Sequence, residues 1–127
     1  MVKVVVDTSV LIEYFRTEKG GWVELVDLRE EQEVELILSS VVVMELWAGK
    51  SVNEESVRKD MELLLEAVKV VSMSERIAKR AGEIRRGEQV GAMDAIIAAT
   101  ALEEGAKVAT LNEKDFKRVE GLQLWES

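Results

Sequence analysis

The chain has 127 residues, of which 33% are charged and 47% hydrophobic, and its net charge is −8 at pH 7. It contains no cysteine and no histidine, which excludes disulfides, thiolate chemistry and imidazole as a base or metal ligand. A metal site would need oxygen ligands, which suit a hard cation such as Mg²⁺ or Mn²⁺. We expect no signal peptide before the first strand, and no apolar run reaches the roughly 20 residues of a membrane span. We therefore expect a single domain over residues 1–127, cytoplasmic and without membrane association.

The first part of the chain alternates strand-like and helix-like segments. The predicted order is strand, helix, helix, strand over "VKVVVD", "TSVLIEYFR", "GWVELVDLREE" and "ELILSS". The valine-rich first strand reads as buried on both faces, as central strands of parallel sheets are. The next segment, "VVVMELWAGKS", starts with β-branched residues that also suit a strand. Its later residues favour a helix that Gly49 would end.

The remaining chain continues the alternation. The predicted order is helix, strand, helix, helix and strand over "NEESVRKDMELLLEAV", "KVVSM", "SERIAKRAGEIRRGEQ", "MDAIIAATALEEG" and "KVATL". A helical turn in "EKDFKRV" and a last short strand in "LQLW" follow. The helix before Gly105 is almost wholly apolar, which predicts that it is buried. This alternation predicts a parallel sheet with helices on both faces.

Four acids follow the predicted strands or open the buried helix: Asp7, Glu45, Asp94 and Asp115. In open parallel sheets, ligands bind beyond the carboxyl ends of the strands. If the strands are neighbours, all four acids converge on one edge. Like charges that approach each other raise one another's pKa and reduce stability. Their convergence indicates a divalent cation, which can polarise a phosphoryl oxygen and activate a water.

Each acid also has a structural explanation when it is considered alone. Asp7 and Asp94 suit helix N-cap positions. Asp115 suits the start of a turn, and Glu45 suits a solvated helix face. For any single acid the structural role is the commoner one. The four acids are not independent, however, and the sequences around them together favour the functional role.

The segments that carry these acids resemble the acidic motifs of PIN-domain ribonucleases, and in particular VapC-type toxins of toxin–antitoxin modules. In chain order they are "VVVDTSVLI", "VVVMELWAG", "MDAIIAATA" and "VATLNEKDF". The resemblance spans essentially the whole chain. It implies a three-layer α/β/α sandwich around a central, mostly parallel sheet of about five strands. It also implies a Mg²⁺- or Mn²⁺-dependent endoribonuclease that forms a homodimer, cleaves RNA and is neutralised by a protein antitoxin.

The resemblance assigns site residues by motif position. The catalytic and metal-binding set is Asp7, Glu45, Asp94 and Asp115. Asp7 and Asp94 are the first choices for direct metal ligation. Asn112 is expected to position Asp115 or a water. The hydroxyls of Ser9 and Thr110 are expected to orient Asp7 or a water, although a cap or turn role suits them equally.

The acidic balance counts against an ordinary nucleic-acid-binding protein unless basic residues border the site. Arg85 and Arg86 are the best candidates for phosphate contact, because they directly precede the segment that carries Asp94. The other basic residues read mostly as solvated faces paired with glutamate. An alternative function is a PIN-like RNA-binding or scaffold module with weak or no catalysis, although the presence of all four acids disfavours it. A haloacid dehalogenase-type phosphatase would need a second Asp where Ser9 stands.

Overall fold

The computed structural model describes residues 1–126, which form a four-stranded sheet with helices packed around it. The strands are β1 (Val2–Val6), β2 (Val34–Ser39), β3 (Lys69–Val71) and β4 (Lys107–Ala109). The helices are α1 (Thr8–Thr17), α2 (Gly21–Glu30), α3 (Ser40–Ala48), α4 (Glu55–Glu66), α5 (Glu75–Gly87), α6 (Ala92–Glu104) and α7 (Glu113–Phe116). A 3₁₀ turn at Lys50–Asn53 joins α3 to α4. Within residues 1–126, every helix is too short or too polar to cross a bilayer.

The sheet is parallel throughout, with the strand order β3-β2-β1-β4. Successive residues of a strand point to opposite faces of the sheet. Val4, Val5 and Val6 are nevertheless all 0% exposed, so helices cover both faces of β1. The predicted α/β sandwich with a central parallel sheet is confirmed. Covering on both faces explains why residues 4–6 of β1 are three consecutive valines rather than an alternating pattern.

The apolar helix α6 lies against the middle of the sheet. It packs on β1, β2 and β4 and also contacts α5. Its small side chains, including Ala95, Ala98 and Ala99, are fully buried. Gly105 ends the helix in the left-handed conformation, with φ 65°, which a glycine adopts without a side-chain penalty. The predicted burial and the predicted end of this helix are both confirmed.

The segment "VVVMELWA", whose residues suit either a strand or a helix, belongs to the helix α3. Ser39 caps it, because its Oγ accepts a hydrogen bond from the backbone N–H of Val41 at 3.3 Å. Val42 is fully buried, which explains the β-branched start without a strand. Gly49 ends the helix as predicted, but in an extended conformation (φ −69°, ψ 140°) rather than a left-handed one.

The predicted fifth strand, "LQLW", is wrong as a strand, and the sheet has four strands rather than about five. Around it, only an isolated parallel bridge joins Leu124 to Val108. The N–H of Val108 donates to Gln123 at 3.0 Å, and its carbonyl accepts from Trp125 at 2.8 Å. The neighbouring Ala109 uses its carbonyl on the other side of β4, toward β1. Because backbone groups alternate in direction along a strand, three-residue β4 offers one residue for outward pairing.

Candidate active site

Asp7 directly follows the last residue of β1 and is only 4% exposed. Its backbone N–H donates to the carbonyl of Ala109 at 2.9 Å, and its carbonyl accepts from Val10 at 3.1 Å. It occupies the N-cap position of α1, but its side chain makes no capping hydrogen bond. The alternative explanation of this carboxylate as a helix cap is therefore wrong.

Two hydroxyl groups hold the Asp7 carboxylate from opposite ends of the chain. Oδ2 accepts hydrogen bonds from Ser9 Oγ at 2.7 Å and from Thr110 Oγ1 at 2.8 Å. The Ser9 hydroxyl itself accepts from the N–H of Leu111, and the Thr110 hydroxyl accepts from the N–H of Asn112. Each hydroxyl proton therefore points at the carboxylate. Within residues 1–126 these bonds all reach Oδ2, so Oδ1 receives no protein hydrogen bond.

Asp94 is the third residue of α6, and Gly91 occupies the N-cap position. The N-cap alternative for Asp94 is therefore also wrong. Burial of this carboxyl raises its pKa above the ordinary value of 3.8, and the negative charges of Asp7, Asp115 and Glu45 raise it further. The charges of the other three predicted site acids therefore act on Asp94. The first turn of a helix also favours a negative charge through its dipole.

Glu45 lies on α3 with its side chain largely exposed. One of its oxygens, Oε1, accepts a hydrogen bond from Thr8 Oγ1 at 2.8 Å. Thr8 is 7% exposed and follows Asp7 in the chain, so this bond joins the start of α1 to α3. Sequence reasoning did not assign Thr8 to the site. Its only signal was a hydroxyl next to the acid that ends β1.

Asp115 lies half-buried in the short helix α7. The backbone N–H of Asp115 donates a hydrogen bond to the carbonyl of Asn112 at 3.2 Å. Asn112 occupies the N-cap position of α7 and makes no side-chain capping bond. It therefore contacts Asp115 and Thr110 through its backbone rather than through its amide. Phe116 is fully buried and anchors this helix to the core.

The site offers only oxygen donors, carboxylates and hydroxyls, which is the donor set that Mg²⁺ and Mn²⁺ prefer. Among residues 1–126, no group of three acidic side chains is gathered closely enough to hold a metal ion. Mg²⁺ usually keeps several waters and binds proteins through one or two carboxylates. A cation would also relieve the repulsion that raises the pKa of Asp94. The donor chemistry therefore fits a divalent cation, without a preformed cage of three acids.

Residues 4–122 match the family model described as PIN domain. The chain belongs to the PIN-domain family. Ribonuclease VapC10 of Mycobacterium tuberculosis is 33% identical over 125 residues, covering 94% of this chain and 90% of the relative. The tRNA(fMet)-specific endonuclease VapC of Shigella flexneri is 29% identical over 130 residues, covering 97% and 96%. The resemblance carried by the four acidic motifs is confirmed.

This PIN domain also resembles solved structures along its full length. The crystal structure of VapBC2 from Rickettsia felis, bound to a DNA fragment from its promoter, matches with a TM-score of 0.84. The sequence identity is 25%, and the match covers 98% of this chain and 100% of that one. Motifs spaced along a whole chain, together with a matching fold, identify the family more firmly than either alone.

The predicted phosphate contacts of this PIN domain lie at the end of α5. Arg85 and Arg86 are exposed there, and Arg85 Nε donates to the carbonyl of Val90 at 3.3 Å. The basic residues earlier on α5 are paired with acids, as expected for a solvated face: Arg76 and Arg80 with Glu103, and Lys79 with Glu75. The end of α5 therefore differs from the rest of the helix.

Proposed function

We propose that this PIN domain is an endoribonuclease that hydrolyses RNA phosphodiester bonds with Mg²⁺ or Mn²⁺, as the toxin of a VapBC-type pair. The proposal is carried by the hydroxyl pair that orients the buried Asp7 carboxylate, and it is supported by the raised pKa of Asp94, to which burial and the charges of Asp7, Asp115 and Glu45 contribute. Relatives named as ribonucleases and as a tRNA-specific endonuclease support the same chemistry.

The proposed roles follow from how each acid is held. Asp7 and Asp94 would hold the cation, because Asp7 leaves Oδ1 unbonded and Asp94 carries a charge that burial and its neighbours disfavour. When bound, the cation stabilises the negative charge that develops on the phosphoryl oxygens. Since the chain has no histidine, carboxylates are the groups here that can accept a proton from the attacking water. Exposed Glu45, fixed by Thr8 at one oxygen, and half-buried Asp115 complete the acidic site.

The first experiment replaces the two acids assigned to the cation. Asp7→Asn and Asp94→Asn keep the side-chain volume and remove the charge, so we expect both variants to fold and to lose cleavage of RNA in Mg²⁺. Asp27→Asn is the matched control, because Asp27 is an exposed acid on α2 outside the site. Cleavage by either site variant at near the wild-type rate would contradict that residue's assignment.

The second experiment tests metal binding without an activity assay. A ligand that binds only the folded state raises stability by mass action, by about 2.7 kcal/mol at a concentration of 100 Kd. We expect Mn²⁺ to raise the melting temperature of the wild type and of Asp27→Asn. The same ion should have little effect on Asp7→Asn or Asp94→Asn. A wild-type melting temperature that does not respond to Mn²⁺ would refute the metal site.

One observation favours a second candidate function, a catalytically weak PIN-like module that binds RNA or serves as a scaffold in an RNA-processing complex. The acids within residues 1–126 do not form a ready-made group of three for a metal ion. RNA binding without cleavage in either Mg²⁺ or Mn²⁺ would support this function. Cleavage that depends on Asp94 would exclude it.

We also infer a protein antitoxin as partner, because structural relatives include a VapBC complex and a structure described as a toxin–antitoxin complex from Klebsiella pneumoniae. Met44 and Trp47 are 57% and 39% exposed on either side of Glu45, and this apolar surface beside the site supports contact with another protein.

The homodimer stays a prediction from the family resemblance. Light scattering on the purified chain measures its oligomeric state directly.

A further inference from the structure

We propose that Arg85, Arg86 and Arg118 form a second contact site for RNA, which binds a backbone phosphate next to the acidic site. These residues line an open cleft of about 460 Å³ together with Gly87, Glu88 and Gln89. We call this surface the arginine cleft. The proposal rests on the proposed function, since it names where the RNA strand continues beyond the acids.

The position of the arginine cleft connects it to two of the four acids. It lies between the end of α5, the loop that leads into α6, and the residues that follow α7. Asp94 is in the first turn of α6, directly after that loop. Arg118 follows Asp115 by three residues and lies in the turn just beyond the end of α7. A strand bound at Asp94 and Asp115 therefore has the cleft as its neighbouring surface.

Two of the three arginines are held in place by the loop itself. Arg85 Nε donates to the carbonyl of Val90 at 3.3 Å, and an Nη of Arg118 donates to the carbonyl of Gln89 at 3.2 Å. A guanidinium group has five N–H donors, so each arginine keeps several for a ligand. Side chains that are already oriented lose less entropy on binding, and the guanidinium fork matches a phosphate geometrically.

The charge of the cleft is available to a ligand. Some basic groups elsewhere in the chain form ion pairs, such as Arg29 with Glu30, Lys69 with Glu104 and Lys117 with Glu113. Within residues 1–126, neither Arg85, Arg86 nor Arg118 forms an ion pair. Glu88 also lines the cleft but pairs with none of them. Three unneutralised guanidinium groups therefore create a local positive field on a chain of net charge −8.

The lining chemistry favours a phosphate over an acidic protein. The lining residues are charged, polar or glycine, and none of them is apolar. Stable protein interfaces have an apolar, often aromatic, core. Nucleic-acid backbones instead are bound mainly through arginine and lysine contacts to phosphate. RNA is also the substrate of the proposed acidic site next to the cleft.

The test measures RNA binding and its salt dependence, with the full chain and a fluorescently labelled single-stranded RNA. EDTA is present to prevent cleavage, and anisotropy is recorded at several NaCl concentrations. Removing one phosphate interaction with single-stranded RNA reduces the slope of log K against log salt by about 0.7. We expect this reduction in Arg86→Ala and in Arg118→Ala, which corresponds to about fivefold weaker binding at 0.1 M salt. Within residues 1–126 the side chain of Arg86 makes no hydrogen bond, so its variant removes charge without loss of a side-chain hydrogen bond.

Arg29→Ala is the matched control for charge. Arg29 lies beside Val34 at the start of β2, the edge of the sheet opposite the acids. Unchanged slopes in both cleft variants, an equal change in Arg29→Ala, or no RNA binding by the wild type would overturn the proposal. The outcome is independent of catalysis: RNA binding that requires the arginines while Asp94→Asn still cleaves would refute the acidic site and keep the cleft.

Discussion

The Thr110 hydroxyl links the end of β4 to Asp7, and Thr110→Val removes it while nearly keeping the side-chain volume. The bond in question is a 2.8 Å hydrogen bond to a carboxylate that is 4% exposed. Hydrogen bonds to charged groups contribute about 1.5–3 kcal/mol. The other partner of the hydroxyl, the N–H of Asn112, lies at the surface and can bond to water instead. We therefore expect Thr110→Val to destabilise the protein by about 1.5–3 kcal/mol.

Thr110→Val should also slow cleavage, because the Thr110 hydroxyl orients the Asp7 carboxylate. Ser9 still holds Oδ2 in the variant, at 2.7 Å in the wild type, so Asp7 stays near its position but can rotate. Loss of a group that orients a metal-binding carboxylate typically costs about 10- to 100-fold in metal affinity or activity. We expect the cleavage rate to fall by that factor. Adding Ser9→Ala should give a non-additive loss, because both hydroxyls donate to one oxygen.

Urea unfolding in EDTA measures the stability loss, and RNA cleavage in Mg²⁺ measures the rate. Thr17→Val is the control, because the exposed Thr17 hydroxyl at the end of α1 bonds neutral backbone groups, among them the carbonyl of Glu13 and the N–H of Lys19. We expect that control to cost less than about 0.5 kcal/mol. If Thr110→Val unfolds like Thr17→Val and cleaves at the wild-type rate, the Asp7 hydroxyl pair has no positioning role.

Three further predictions test other parts of the structure. Thr8→Val removes the bond that holds Glu45 at 2.8 Å, so cleavage should fall while RNA affinity in EDTA stays unchanged; a parallel fall in affinity would contradict this. The raised pKa of Asp94 means that the folded state binds the proton more tightly, so its contribution to stability is lost as pH rises from 3.8 through the raised value. Asp94→Asn has no carboxyl to titrate at this position, so its free energy of unfolding in urea, relative to that of the wild type, should increase over that pH interval and then stay constant. A difference between the two proteins that does not change with pH would refute the electrostatic explanation. Gly20 has φ 100° and faces the Glu13 carboxylate, so Gly20→Ala should lower stability by about 1–3 kcal/mol, unlike Gly82→Ala in open space on α5.

The sequence predicted the elements well where local chemistry decides them. The two-sided burial of β1, the apolar α6 and its end at Gly105 all follow from the residues within each segment. The fifth strand failed because its existence depends on a partner. Only Val108 of β4 points its backbone groups outward, and no property of "LQLW" carries that information.

The four acids could be predicted as a set from sequence because they follow predicted strands or open a buried helix, and parallel strands bring such ends to one edge. Their capping alternatives could not be decided that way. The Asp7 carboxylate accepts hydrogen bonds from Ser9, two residues away, and from Thr110, 103 residues away, and the second partner could not be read from the sequence around Asp7. Thr8 and Arg118 acquire their contacts through hydrogen bonds to Glu45 and Gln89 on other elements.

The sequence by itself determined the parallel α/β architecture and the oxygen-only chemistry and predicted the set of acids, because periodicity, composition and strand ends are local properties. The tertiary structure alone decided the strand order, the hydroxyl pair on Asp7 and the arginine cleft. Each of these depends on contacts between residues that are distant in the chain, and a side chain's hydrogen-bond partner there is set by packing rather than by its neighbours in sequence.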